Sequence, residues 1–237
     1  MSEEMNAQES GPEVTGTPVQ EEKSVSSVRL FMTLAVVGAL SGLLLVLVNE
    51  ITLPHIEAYK ALKLKEAVTE VLQGPARYDT WYLIDGELAL ELSAGLKPEK
   101  QKAIYVGYGE AGEIKGIAMA RGESGFQDIV KVIFGFDPEK KTLMGMKVLE
   151  SKETPGLGDK IYKDQAFVDQ FFDGPAVPLQ GVKKGAGKGE PNEVDMITGA
   201  TISSRAVIRI INNALDEWEP HLGKFEKKPV ATRGDAP

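Results

Sequence analysis

The chain has 237 residues, 42% of them hydrophobic and 26% charged, and 27 Lys and Arg stand against 35 Asp and Glu for a formal net charge of −8. Such a chain can bury a core, and its acidic balance gives nucleic acid no electrostatic footprint. Cysteine is absent, which excludes disulfides, thiolate-ligated clusters and a cysteine nucleophile, and His55 and His221 are too few for a histidine-rich metal site or a Ser-His-Asp apparatus. No metal site and no catalytic residue are expected. The chemistry falls to carboxylates, hydroxyls, backbone groups or a borrowed cofactor.

Residues 1–29 carry six acidic side chains against Lys23 and Arg29 and are rich in Ser, Thr, Gly and Pro, so they read as a disordered acidic tail. From Leu30 to Val48 no charge interrupts the run. Nineteen residues at about 1.5 Å each make roughly 28 Å, close to the hydrocarbon thickness of a bilayer and longer than the apolar region of a cleaved signal. Asn49–Pro54 lacks a small-x-small cleavage pattern, so residues 30–48 are expected to stay as a transmembrane helix. Lys23 and Arg29 on one side and Lys60, Lys63 and Lys65 on the other leave orientation undecided by charge.

Ile56, Tyr59, Leu62, Ala67, Val68, Val71 and Leu72 recur at helical spacing and stop at Gly74-Pro75, predicting a membrane-proximal amphipathic helix over 55–73. One domain over 75–222 follows. Within it, Ala103–Tyr108 and Ile114–Arg121 flank Gly109–Glu113, and Ile129–Phe136 and Thr142–Leu149 flank Asp137–Lys141, reading as two β-hairpins. A helical pattern spans Asp164–Phe172, a glycine- and lysine-rich loop spans Gly181–Asn192, and 223–237 is a polar tail. After Thr201 a long helix sets Ala206, Val207, Ile210, Ile211, Ala214, Leu215 and Trp218 on one face. Strand pairs with helices before and after them make the class α+β, with antiparallel hairpins flanked by helices.

Two glycine patterns imitate nucleotide sites. Gly107–Gly112 is formally GxGxxG, but a strand follows it where a helix would have to receive the pyrophosphate. Gly185-Ala186-Gly187-Lys188-Gly189 resembles a P-loop, yet Val182 stands where the first glycine belongs and Gly189 where Ser or Thr would bind magnesium. Neither is read as a nucleotide site. Two other segments hold more. Glu153-Thr154-Pro155-Gly156-Leu157-Gly158 is geometrically a type II turn with Pro at i+1 and Gly at i+2, and that turn leaves Glu153 and Thr154 without a role. Asp195-Met196-Ile197-Thr198-Gly199-Ala200-Thr201-Ile202-Ser203-Ser204 lies where a loop becomes the last helix. Its hydroxyls suit capping, and a helix N-terminus also favours a phosphate, to which Gly199 and Ala200 would allow close backbone approach.

ETPGLG at Glu153–Gly158, followed by D-x-x-T-G-A-T at Asp195–Thr201, resembles the FMN-binding domain shared by the G subunit of Rnf-type electron transport complexes and the C subunit of Na⁺-translocating NADH:quinone reductase. Ile202-Ser203-Ser204-Arg205-Ala206-Val207 and the lack of a large insertion are more similar to the Rnf protein. The resemblance implies a membrane-anchored electron carrier in an Rnf-type ferredoxin:NAD⁺ oxidoreductase that couples electron transfer to ion translocation. It also implies FMN joined to Thr201 through a phosphoester made by a separate flavin transferase. Glu153, Thr154, Gly156 and Leu157 then surround the ring and ribityl chain, Thr198, Gly199, Ala200 and Ser203 line the phosphate end, and Asp195 is read by the transferase. Partners would be neighbouring membrane subunits, and the FMN domain would stand on the outer face of the cytoplasmic membrane, where the transferase acts. The competing readings are a C-type quinone reductase subunit, a noncatalytic anchored scaffold, and an anchored hydrolase or nucleotide-binding module.

Overall fold

The computed structural model describes residues 26–92, 101–172 and 174–225. Most of the expected acidic tail and nearly all of the polar C-terminal tail lie outside those residues. The chain divides into two compact units, Met1–His55 and Ile56–Pro237.

Helix α1, Ser27–Val71, begins inside the first unit. Its apolar side chains there, from Val28 to Leu53, are exposed all round, and the helix is long and apolar enough to cross a membrane. Where the sequence reading separates two helices at Asn49–Pro54, α1 is continuous and carries Pro54 within it. Proline removes one backbone donor, and the helix runs on through that position.

In the second unit six strands form an antiparallel sheet in the order β2-β1-β3-β4-β5-β6: β1 Arg77–Ile84, β2 Glu87–Ala89, β3 Lys102–Tyr108, β4 Ile114–Ser124, β5 Ile129–Asp137 and β6 Thr142–Glu150. The expected hairpins are β3–β4 and β5–β6, paired through Val106↔Ile117 and Phe134↔Met146. Strands β1 and β2 are additional. β1 sits next to the edge with only Trp81 buried, so its half-covered faces produce no alternating pattern to read.

Alternation elsewhere sorts side chains onto two faces. Ile117, Met119, Val130, Val132 and Phe134 point to one and meet helix α4, Thr201–Leu222. All seven residues expected on the apolar face of α4 are buried. Each large aliphatic among them stabilises the fold by about 1.5–3 kcal/mol relative to exposure. Ala118 and Ile133 point to the other face, where Ala67, Val68, Val71 and Leu72 at the end of α1 cover them.

A polar stripe fixes α4 against the sheet. Arg209 and Asn213 donate to Glu123 at 2.9 and 2.8 Å, Arg121 donates to Glu123 at 2.7 Å and to Glu217 at 2.5 Å, and Lys102 pairs with Glu217. Burial pushes the Glu123 carboxyl up, but the hydrogen bonds from Asn213, Arg209 and Arg121 outweigh it and leave the group below the usual carboxylate range.

The expected helical segment, Asp164–Phe172, is split into α3, Gln165–Val168, and a 3-10 turn, Asp169–Phe171, and a short helix not expected from the sequence, α2, Lys160–Lys163, precedes it. The expected loop over Gly181–Asn192 begins as a strand. β7, Gln180–Lys183, pairs in parallel with β8, Glu193–Met196.

Candidate functional site at the start of the last helix

Three segments meet at the carboxylate of Glu153, three residues beyond β6 and only 5% exposed. Its Oε1 accepts from the backbone N–H of Phe126 at 2.8 Å and of Gln127 at 3.1 Å, in the loop between β4 and β5. Its Oε2 accepts from the Ser203 hydroxyl at 2.7 Å, in the first turn of α4. The two motifs, far apart in sequence, therefore share one hydrogen-bonded junction. Burying a carboxylate is costly unless donors replace its water, and here three do. Glu153, expected beside a ligand, has both oxygens committed to the protein.

The segment after Glu153 is the expected turn. Leu157 N–H donates to the Thr154 carbonyl at 3.1 Å, with Gly156 at φ +80° in the third position, where residues bearing a Cβ are strained. Thr154 hydroxyl donates to Gln127 Oε1 at 2.9 Å, while Leu157 is 50% exposed. Asp159 braces the turn: Oδ1 accepts from Gly156 N–H at 2.7 Å and Oδ2 from the Lys163 ammonium at 2.6 Å. The Lys163 hydrogen bond chiefly, with the Gly156 amide, holds the Asp159 carboxyl below its usual range. Asp159 is not among the residues singled out from the sequence. Its one signal is spacing, an acid three residues after the turn glycine and four before a lysine.

A second turn leads into α4. Ala200 N–H donates to the Ile197 carbonyl at 3.1 Å, and Gly199 takes φ +84° in the third position. Thr198 and Gly199 are exposed, and Ala200 is buried. The N-cap of α4 is Ala200, which has no side-chain acceptor, so the expected hydroxyl cap does not form. The hydroxyls are spent elsewhere. Ser203 is held by Glu153, while Ser204 Oγ accepts from Ile197 N–H at 3.2 Å and donates to the Ala200 carbonyl at 2.9 Å. Helix geometry supplies no acceptor for the first-turn N–H groups. Thr201, first residue of the helix and half-buried, has a hydroxyl with no hydrogen-bond partner among the described residues.

Asp195 lies apart on β8. Its Oδ1 accepts from Gly185 N–H at 3.3 Å, and its backbone pairs with the Gln170 side-chain amide at 2.7 and 3.2 Å. The P-loop-like segment is filled from within, because Glu193 Oε2 accepts from Lys188 and Gly189 N–H at 2.7 and 2.9 Å. Those amides form an anion-binding nest already occupied by a carboxylate of the same chain. Among the described residues no group of His, Asp and Glu is arranged to hold a metal ion.

Residues 125–216 match the model of the FMN-binding domain. The chain is 32% identical over 193 residues to the G subunit of the ion-translocating oxidoreductase complex of Cronobacter sakazakii, an alignment covering 77% of this chain and 86% of that one. It is 31% identical over 192 residues to the G subunit of the Na⁺-translocating ferredoxin:NAD⁺ oxidoreductase complex of Acetobacterium woodii, covering 81% and 91%. The chain belongs to this family of G subunits. The crystal structure of Shewanella oneidensis NqrC shares its fold, with a TM-score of 0.58 at 17% identity over 72% of this chain and 100% of that one.

The residues of this family member suit FMN. The start of α4 offers unspent N–H donors and the positive end of a helix dipole to a phosphate. Beside them stand the unpartnered hydroxyl of Thr201 and the exposed, open Gly199, with no heavy atom within 4 Å of where its Cβ would lie. Asp195, the acid of the same motif, has its carboxylate on Gly185 N–H rather than on the first turn of α4. Phe126 and Ile202, 63% and 52% exposed, join Leu157 in giving apolar surface to the segments around Glu153.

Proposed function

We propose that this chain is the membrane-anchored electron-carrier subunit of an Rnf-type ferredoxin:NAD⁺ oxidoreductase, with FMN esterified through its phosphate to Thr201. FMN, when bound, exchanges one or two electrons at a time and so links carriers of both kinds. The chain's own residues hold it. Thr201 supplies the ester oxygen, the first-turn N–H groups of α4 face the phosphate, and Gly199 leaves room for it. Leu157, on its turn braced by Asp159, supplies apolar surface for the planar part, and Thr154 keeps that turn tied to Gln127.

The observation that carries this reading is the state of the hydroxyls. Four stand in seven residues, Thr198, Thr201, Ser203 and Ser204, and two of them are buried in internal hydrogen bonds. Thr198 lies in the preceding turn rather than in the helix. Thr201 alone among the four is unengaged and also inside the helix end that favours a phosphate.

A separate transferase makes the ester, and Asp195, half-buried on β8, is a residue it recognises. The apolar run of α1 anchors the chain in the cytoplasmic membrane as a single pass, with residues 75–222 as the FMN domain on the outer face. Its redox partners are neighbouring membrane subunits, since an anchored carrier reaches only what is held close to it. The direct test is the mass of the proteolytic peptide bearing Thr201, taken from cells that express a flavin transferase. It should be heavier by FMN minus water, and acid-precipitated protein should stay yellow. An unmodified peptide from such cells would refute the reading.

A further inference from the structure

Among the described residues Glu153 is, after Asp159, the least solvated acidic group, and it makes three hydrogen bonds to two other segments. Both of its oxygens are engaged by the protein. Oε1 is shared by two adjacent backbone N–H groups, and Oε2 is taken by a hydroxyl whose residue is itself only 2% exposed. The neighbouring backbone is shaped around this carboxylate: a Cβ on Gly158 would lie 2.8 Å from Glu153 Cβ and 2.9 Å from Ser203 Oγ. A second tie runs in parallel, from the Thr154 hydroxyl to the Gln127 side chain at 2.9 Å.

From this we infer that Glu153 is a positioning residue that never touches the flavin. Its carboxylate sets the loop bearing Phe126 and the helix start bearing Thr201 in one fixed relation. The inference rests on reading Thr201 as the site of FMN attachment. It goes beyond that reading by separating the acid of ETPGLG from the cofactor and giving it a mechanical task. Two consequences follow from the bonding. The pair of N–H donors needs an oxygen acceptor but not a full charge, because a glutamine amide oxygen can accept both. The Ser203 hydroxyl can reverse and accept from the amide NH2, since a hydroxyl both donates and accepts. Glutamine should therefore serve in place of glutamate, and alanine should not.

The experiment uses the full chain, purified in detergent before and after flavin loading, as wild type, Glu153→Ala, Glu153→Gln, Ser203→Ala and Thr201→Ala. Without flavin, hydrogen exchange across Phe126–Gln127 should quicken about tenfold or more in Glu153→Ala, since each lost bond to a charged acceptor is a strong one. In Glu153→Gln it should stay within about threefold of wild type. After loading, Glu153→Ala should carry several-fold less covalent flavin, Ser203→Ala should show a smaller loss, and Glu153→Gln should load normally with an unshifted absorption spectrum. Unchanged exchange in Glu153→Ala would overturn the proposal, and so would a flavin spectrum shifted by Glu153→Gln, which is the mark of direct contact. Should Glu153→Ala fail to fold, the Glu153→Gln spectrum and the Ser203→Ala loading decide by the same criteria. If the attachment reading is wrong instead, Thr201→Ala keeps its covalent flavin while the exchange results stand.

Discussion

Replacing Thr201 by alanine removes one oxygen atom, and the structure says how little else changes. Thr201 is not the cap of α4: Ala200 is, and no side-chain hydrogen bond closes that end. The Thr201 hydroxyl holds nothing among the described residues, and alanine is at least as good a helix former as threonine. The change in stability of the unloaded chain is therefore within about 0.5 kcal/mol, which for a chain of this size is about 2 °C or less in melting temperature. Covalent flavin, by contrast, should vanish. Wild type and Thr201→Ala are expressed with a flavin transferase, denatured, separated by electrophoresis and read for in-gel flavin fluorescence, while unloaded samples are melted side by side. Thr201→Ser keeps a hydroxyl and should retain some fluorescence. A Thr201→Ala band as bright as wild type would refute the assignment, and a melting temperature lower by about 5 °C or more would show that the hydroxyl bears structure after all.

On the proposed recognition of Asp195 by the transferase, Asp195→Ala should lower flavin loading, yet stability should fall by less than about 1 kcal/mol, since only the long bond from Gly185 is lost; full loading of the variant would make Asp195 a loop-holding residue. Glu123 titrates lower in the folded chain than in the unfolded one. Its contribution is present above the ordinary carboxyl value, about 4.3, and is lost as pH falls through the lower folded value, so melting temperature should drop below about pH 4.5. Glu123→Gln should flatten that drop in thermal scans, and an equally steep profile would count against the stripe on α4. Protease added to intact spheroplasts should digest the chain beyond Pro54, and inside-out vesicles should protect it; the reverse pattern would overturn the orientation.

What the sequence carried well was anything written in periodicity. The α4 face from Ala206 to Trp218 and the paired strands around Gly109–Glu113 and Asp137–Lys141 repeat at 3.6 or 2 residues because one side of each is buried. β1 escaped because its neighbours cover it only in part, so Tyr78, Thr80 and Tyr82 alternate with nothing more buried than Trp81. β7 and β8 escaped because four residues are too few to show a period. At the site, the motifs named the residues but not their engagements. Four hydroxyls in a short stretch look alike in sequence. Only the fold brings Glu153 across to Ser203 and turns Ser204 back on Ala200, and so leaves Thr201 distinct. Asp159 was illegible for the same reason, since its value lies in reaching back to Gly156.

The place where the chain would hold FMN also gives the proposed covalent bond a physical reason. Both turns bordering the helix start are exposed at their tips, Gly156 and Leu157 in one and Thr198 and Gly199 in the other. A cavity lies toward the far end of α4, lined by Phe136, Val177, Asn212, Leu215 and Leu222, more than two turns from Thr201. Non-covalent sites for ligands of this size ordinarily bury most of the ligand, and shallow ones forfeit the affinity that burial supplies. A ring held at an exposed turn can stay reachable by a redox partner, but contact alone will not keep it there. The proposed phosphoester to Thr201 would separate retention from burial. Thr201→Ala incubated with free FMN should therefore bind it weakly, with a Kd of about 10 μM or weaker, and should lose it entirely on gel filtration. Retention of stoichiometric FMN by that variant through gel filtration would mean that the fold grips the cofactor by itself, and the open turns would then no longer explain the covalent bond.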